Sequence, residues 1–206
     1  MTAFPPMQHF RDIPVVPIKR MTTHIAFGGP IWPNFDTQIG PRQCRDNRPV
    51  DTVARAQKTT RYLDRPAVWG GVLDTHFGHL IVEHLSRLLV SLQQRPNDLY
   101  LFGLDATRNP PSVPDWIWQI LDWYGLPRAQ IHLLEDPLIA QDLFVAPQSE
   151  MLGHSSPDAD YIVLLDQNMA RNQTTIVPSG LVYVARSGLV AKGMGGHLGE
   201  SYLVQA

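Results

Sequence analysis

Three side chains with useful chemistry share one register: His79, Glu83 and Arg87 stand at i, i+4 and i+8. At about 100° per residue they stack along one side of a helix, within roughly 80° of arc. A histidine, a carboxylate and a guanidinium in one row could hold an acceptor sugar and take its proton. The turn before them, Asp74-Thr-His76-Phe-Gly-His79, adds an acid and a second histidine where helix-start N–H groups can bind an anion. The same spacing also describes an ordinary solvated helix face with i, i+4 pairs. Both readings stay open from spacing alone.

Metal chemistry fits less well. His79 and His84 are five apart and point about 140° from one another on a regular helix, so an inverted zinc-protease site is excluded. His76 with His79 stays open if the turn is irregular. Asp158-Ala-Asp160 has the spacing of an acid pair that can hold a metal, yet after Ser-Ser-Pro it reads as loop and helix-start chemistry. We expect no metal and no cofactor. The run Gly193-Met-Gly-Gly-His-Leu-Gly199 has leucine at the third glycine position of a dinucleotide fingerprint, and no P-loop motif occurs. It reads as a loop.

The elements that must position these groups begin at Pro66. Ala67–Leu73, Leu99–Leu104, Ile131–Leu134, Leu143–Ala146 and Leu181–Ala185 read as strands. Helical periodicity covers Gly78–Gln94, with Ile81, Leu85, Leu88, Leu89 and Leu92 as the stripe facing the core. A second helix runs from Pro114 to Gly125, with proline at its start and glycine at its stop. Tyr161–Arg171 is a helix, or a strand and then a helix. Strands alternating with helices predict an α/β, Rossmann-like layered domain with a mainly parallel sheet. Residues 1–65, punctuated by eight prolines, read as an irregular arm or cap with one or two edge strands at most. The expected division is therefore 1–65 and 66–206.

Composition narrows the function. With 206 residues, 44% hydrophobic and 17% charged, the chain can bury a sizeable core. A net charge of −2 with scattered arginines gives no basic field for nucleic acid. No run approaches a membrane span, and the N-terminus lacks a secretory pattern. The lone Cys44 allows a reducing compartment, so a cytosolic placement is the simplest. Gly180-Leu-Val-Tyr-Val-Ala-Arg186 reads as a strand delivering Arg186 to its C-terminal end, where α/β sheets place ligand contacts. Glu200-Ser-Tyr-Leu-Val-Gln-Ala206 reads as an unfinished helix.

Two blocks carry a family resemblance. Gly70-Gly71, His76-Phe-Gly-His79, Glu83 and Leu85-Ser-Arg-Leu-Leu89 form the first; Tyr183-Val-Ala-Arg-Ser187 followed by Gly199-Glu200 forms the second. In this order and separation they resemble the bacterial, capsular-polysaccharide branch of glycosyltransferase family 61, over residues 67–206. Phe144-Val-Ala-Pro147 is similar to the family's middle region. The chain departs from the pattern at Val90, where tryptophan is frequent, and ends before the family's later blocks. The resemblance implies the N-terminal, acceptor-side half of a two-domain GT-B fold and inverting transfer from a nucleotide-sugar donor to a glycan acceptor. It assigns Glu83, His79 and Asp74 to catalysis, with Glu83 slightly favoured as the base. His76 and Arg87 fall to the acceptor, and Arg186 and Glu200 to the donor diphosphate. The competing expectation is a non-catalytic carbohydrate-binding or scaffold module in which Trp69, Trp116, Trp118 and Trp123 stack on sugars.

Overall fold

The computed structural model describes residues 6–22, 25–52, 54–104, 112–153 and 157–173. Apart from Gln173 these belong to one compact unit, Met1–Asn172, with Gln173–Ala206 forming a second. The strand at Leu181–Ala185, the loop at 188–199, Arg186 and Glu200 lie outside the described residues.

The strands are β1 (Gln8–Thr22), β2 (Ile25–Pro30), β3 (Cys44–Arg45), β4 (Arg48–Pro49), β5 (Tyr62–Leu63), β6 (Ala67–Leu73), β7 (Leu99–Leu104), β8 (Ile131–Leu134) and β9 (Leu138–Val145). The main sheet runs β2-β1-β9-β6-β7-β8, with β5 beside β9. Its β5–β9, β6–β9, β6–β7 and β7–β8 pairings are parallel. Only the β1–β2 and β1–β9 pairings are antiparallel. The architecture is α/β with a mainly parallel mixed sheet, compatible with Rossmann-like layering.

Residues 1–65 supply more order than their prolines suggest. β1 is a 15-residue strand that changes partner halfway. Gln8–Val15 pairs with β9 and Val15–Thr22 pairs with β2, so Val15 is registered in both ladders, and beside it Pro14 O accepts the Ile31 N–H at 2.8 Å. Each half is therefore an edge, and a missing N–H is tolerated on an edge. Pro14 falls in the first half, and Pro17 falls at the irregularity between Val16 and Arg20. The segment expected as a separate arm belongs to the same compact unit as β6–β9.

The sheet has two apolar faces. On one, Val68, Tyr100 and Phe102 pack against Leu80, Leu85 and Leu88 and against Ile117, Leu121 and Tyr161 from two further helices. These are α3 (Asp115–Tyr124) and α4 (Ala159–Arg171). On the other, Ala67, Trp69, Val72 and Leu101 meet Ile13, Val15 and Trp32, a cluster with no helical member. Full burial of Tyr100 or Phe102 is worth about 2–3 kcal/mol each, so these strands anchor both layers. α3 ends at Gly125, which is left-handed (φ 82°). Gly125 N–H donates to Asp122 O at 2.9 Å and Leu126 N–H to Leu121 O at 3.1 Å, a Schellman stop. Asn168 and Asn172 of the α4 end add donors to Trp123 O, at 3.0 and 2.7 Å.

Candidate active site: a buried carboxylate between a hairpin and a broken helix

Adjacent glycines prepare the ground in β6. A Cβ on Gly70 would meet the Phe102 ring at 2.3 Å, so only glycine lets that ring cross the strand. Gly71 has φ 101° and lies where β6 slips register against β7, which is bulge geometry. A Cβ there would stand 3.1 Å from His84 Cβ. The strand then ends in a tight turn: buried Asp74 accepts the His76 N–H at 2.7 Å through Oδ1, an Asx-type brace.

The helix expected over Gly78–Gln94 is four pieces. α1 (Phe77–His79) passes into a π-helical turn at Leu80–His84, a 3-10 turn at Leu85–Arg87 and α2 (Leu88–Gln94). The wide turn turns both Glu83 and His84 inward, at 0% and 4% exposure. π-turns concentrate at functional sites because they re-aim side chains at a cost in helix stability. Of the expected apolar stripe, Leu85, Leu88 and Leu89 are buried, while Ile81 and Leu92 pack only partly against the core. Leu80 and Val90 complete it.

A second element covers Glu83. β3 and β4 are joined by Asp46-Asn47, both left-handed (φ 46° and 58°), as a two-residue I′ hairpin requires. Gln148 grips this hairpin, accepting the Cys44 N–H at 2.6 Å. Asp46 N–H donates to Leu152 O at 2.9 Å. The hairpin thus delivers Gln43 and Arg45 onto the helix.

Glu83 is enclosed by three donors and an imidazole. Arg45 grips it as a fork, Nε to Oε1 and Nη2 to Oε2, the latter at 3.0 Å. Gln43 Nε2 donates to Oε2 at 2.6 Å. His79 Nδ1 lies 3.2 Å from the same oxygen. Burial alone would raise the carboxyl pKa; the Arg45 hydrogen bond and charge outweigh it, and the net direction is down. His84 is held neutral by burial, its pKa pushed down to about 3, so near neutral pH its charge does not contribute. His79 Nδ1 also stands 3.5 Å from Arg45 Nη2; in the tautomer with the proton on Nδ1 facing Glu83, the lone pair of the neutral ring is on Nε2. His79 is half-buried and its ring centroid lies 4.8 Å from that of exposed His76. Glu83 is the innermost of the group, its side chain 0% exposed against 16% for His79 and 19% for Arg45, with exposed His76 outside them.

The row read from spacing is only half kept. His79 and Glu83 pair, but Arg87 does not join them. The π-turn and the 3-10 turn shift its phase, and it donates instead to Pro41 O and Arg42 O, each at 3.2 Å. At 3% exposure it is inaccessible to a solvent-borne acceptor, which corrects the acceptor role expected for it. Asp74 and Glu83, which the resemblance assigns to catalysis, are both buried. A solvated helix face is likewise not what forms. Trp69 is a core residue at 7% exposure, while Trp116, Trp118 and Trp123 are partly exposed on α3. Asp158 and Asp160 occupy the cap and first turn of α4.

Gln43 and Arg45 were missed by sequence reading. The legible signal was Arg-Asp-Asn-Arg, a two-residue Asx turn between short pairs. Among the described residues, no three His, Cys, Asp or Glu side chains are grouped to hold a metal, and no helix is long and apolar enough to cross a membrane.

Comparison with protein-family models, with curated proteins and with solved structures finds no match for this chain.

Proposed function

We propose that this chain is the acceptor-side portion of an inverting glycosyltransferase of polysaccharide biosynthesis, with a GT-B type fold, using a nucleotide-sugar donor and a glycan acceptor. The observation that carries the chemistry is the Glu83 clamp. A fully buried carboxylate bound to a fork and an amide is a poor base, because it cannot reach an acceptor and its proton affinity is lowered. It is well suited to orient a histidine. His79 is therefore the general base and Glu83 its positioning residue, reversing the slight preference for Glu83 that the motif alone suggests.

In this reading, His79 Nε2 takes the proton of an acceptor hydroxyl as that oxygen bonds to the anomeric carbon. The bond from that carbon to the diphosphate oxygen breaks on the opposite face, its electron pair leaving with the diphosphate. Arg186, with Glu200, is assigned the leaving charge on the motif resemblance alone. Asp74 shapes the turn that presents His76 and His79.

The test is nucleoside diphosphate release from a panel of nucleotide sugars with and without oligosaccharide acceptors, comparing wild type with His79→Ala. Acceptor-dependent release that His79→Ala abolishes is expected; release that the variant leaves unchanged overturns the assignment.

A second reading has its own observation. Phe77, Ile81, Trp116 and Trp123 border an open apolar groove of about 580 Å³, a surface on which sugar rings can stack. A carbohydrate-binding module predicts oligosaccharide binding lost on Trp116→Ala, with no diphosphate release for any donor.

A further inference from the structure

Behind the clamp, on the far side of the broken helix, lies a cavity of about 40 Å³ bordered by Trp32, Asp51, Trp69, Gly71, His84 and Arg87. That space admits one or two water-sized species and no sugar ring. Two of its walls carry unsatisfied donors. His84 Nδ1 accepts the Val72 N–H at 3.4 Å, which puts the proton of the neutral ring on Nε2, and Nε2 has no partner. Arg87 spends its Nη1 and Nη2 groups on the carbonyls of Pro41 and Arg42, and its Nε has no partner. Both side chains are at least nine-tenths buried.

Charge is unbalanced in the same place. Among the described residues no carboxylate lies within ion-pair distance of Arg87. Asp51, which shares the cavity wall, is already paired with Arg42 Nε at 2.7 Å, and Glu83 is taken by Arg45. A buried guanidinium hydrogen-bonded to backbone carbonyls, with Asp51 attracting it only through space, is a weakly compensated cation, and such a group is costly to desolvate. Its pKa is accordingly pushed down by burial to about 10. A water would satisfy the two N–H groups and leave the charge; an anion satisfies both.

We infer that this cavity binds a small inorganic anion of the halide class, held by the Nε–H of Arg87 and the Nε2–H of His84 and lined by the indoles of Trp32 and Trp69. Gln43 borders both this cavity and Glu83, but the inference does not depend on the function proposed for the His79–Glu83 pair.

Bromide is the probe. Crystals of the wild-type chain equilibrated in sodium bromide should show an anomalous peak within hydrogen-bond distance of both atoms. In solution, the thermal midpoint should rise with bromide at constant ionic strength and saturate, whereas fluoride, which gives up water reluctantly, should act more weakly. His84→Asn keeps an acceptor for Val72, and its shorter amide N–H cannot reach the place of Nε2–H, so at least about tenfold more bromide should be needed for the same rise. Arg87→Met should abolish the dependence; should that variant fail to fold, the wild-type bromide map decides. Water alone in the cavity, or bromide only at the surface, overturns the inference.

Discussion

Val72 and His84 are joined by a hydrogen bond from the strand N–H to the imidazole Nδ1, and each sits at the irregularity of its own element. The β6 bulge precedes Val72, and the π-turn ends at His84. A bulge removes a donor from the ladder, and the wide turn supplies the acceptor. The Gly70-Gly71 pair matters because it lets these two defects meet.

Gly70→Ala should destabilise the protein by about 1–3 kcal/mol, through overpacking against the Phe102 ring. Shortening that ring should recover part of the loss. Urea unfolding of Gly70→Ala, Phe102→Leu and the double variant checks this; additive losses would mean the two side chains do not compete for the same space.

Stability should fall as pH is lowered from about 6.5 toward 3. Burial holds the folded-state pKa of His84 at about 3, against 6.5 for an ordinary histidine. Within that window the unfolded chain binds a proton that the folded chain refuses, and the slope approaches about 1.4 kcal/mol per pH unit. His132, lowered by burial and by Arg61, acts in the same sense. Glu83, also lowered, adds its own loss only below 4.5. Denaturant titrations across pH should show a shallower slope for His84→Asn.

Arg45→Ala should cost about 3–5 kcal/mol, because it leaves Glu83 buried and charged without its principal partner. Arg45→Lys should recover little, since an ammonium cannot reproduce the fork. Arg45→Ala with Glu83→Gln together should be milder than Arg45→Ala alone. A double-mutant cycle by chemical denaturation measures the coupling.

Turnover should separate His79 from Glu83. His79→Ala should lower kcat by about 10²–10⁴-fold, the range for a general base. Glu83→Gln should lower kcat while leaving KM close to wild type, and it should shift the acidic limb of the pH–rate profile, because the imidazolium loses its carboxylate. An unshifted limb would leave Glu83 with a purely structural part.

Much of the sheet was legible because its strands are short apolar runs, buried throughout in β6 and β7 and partly buried in β8. Ala67–Leu73, Leu99–Leu104 and Ile131–Leu134 form as read. The long β1 was not, since prolines argue against a strand unless each half is known to be an edge. The His79–Glu83 pair followed from i, i+4 spacing. Arg87 did not follow, because one wide turn and one tight turn shift the phase that a constant 100° step assumes. The turn that carries Arg45 could be read from Asp46-Asn47, but the contact of Arg45 and Gln43 with Glu83 could not: tertiary contact between that turn and a helix almost forty residues on leaves no local periodicity.

Among the described residues, Val15 is the β1 residue registered in both ladders, and the Ile31 N–H donates to Pro14 O beside it, so the two ladders overlap over a very short stretch. Side-chain packing, Ile18 over Gly103 and Trp69 against Gly29, holds the β1–β2 hairpin beyond that overlap to the rest of the sheet, but among the described residues it has no second strand hydrogen-bonded along its length. Its amides should therefore exchange with solvent deuterium as one group, sooner than those of Gln8–Ile13 and well before those of β6 and β7. The outermost hairpin thus sets a lower, separate threshold of opening, and the β6–β7 centre sets the global one.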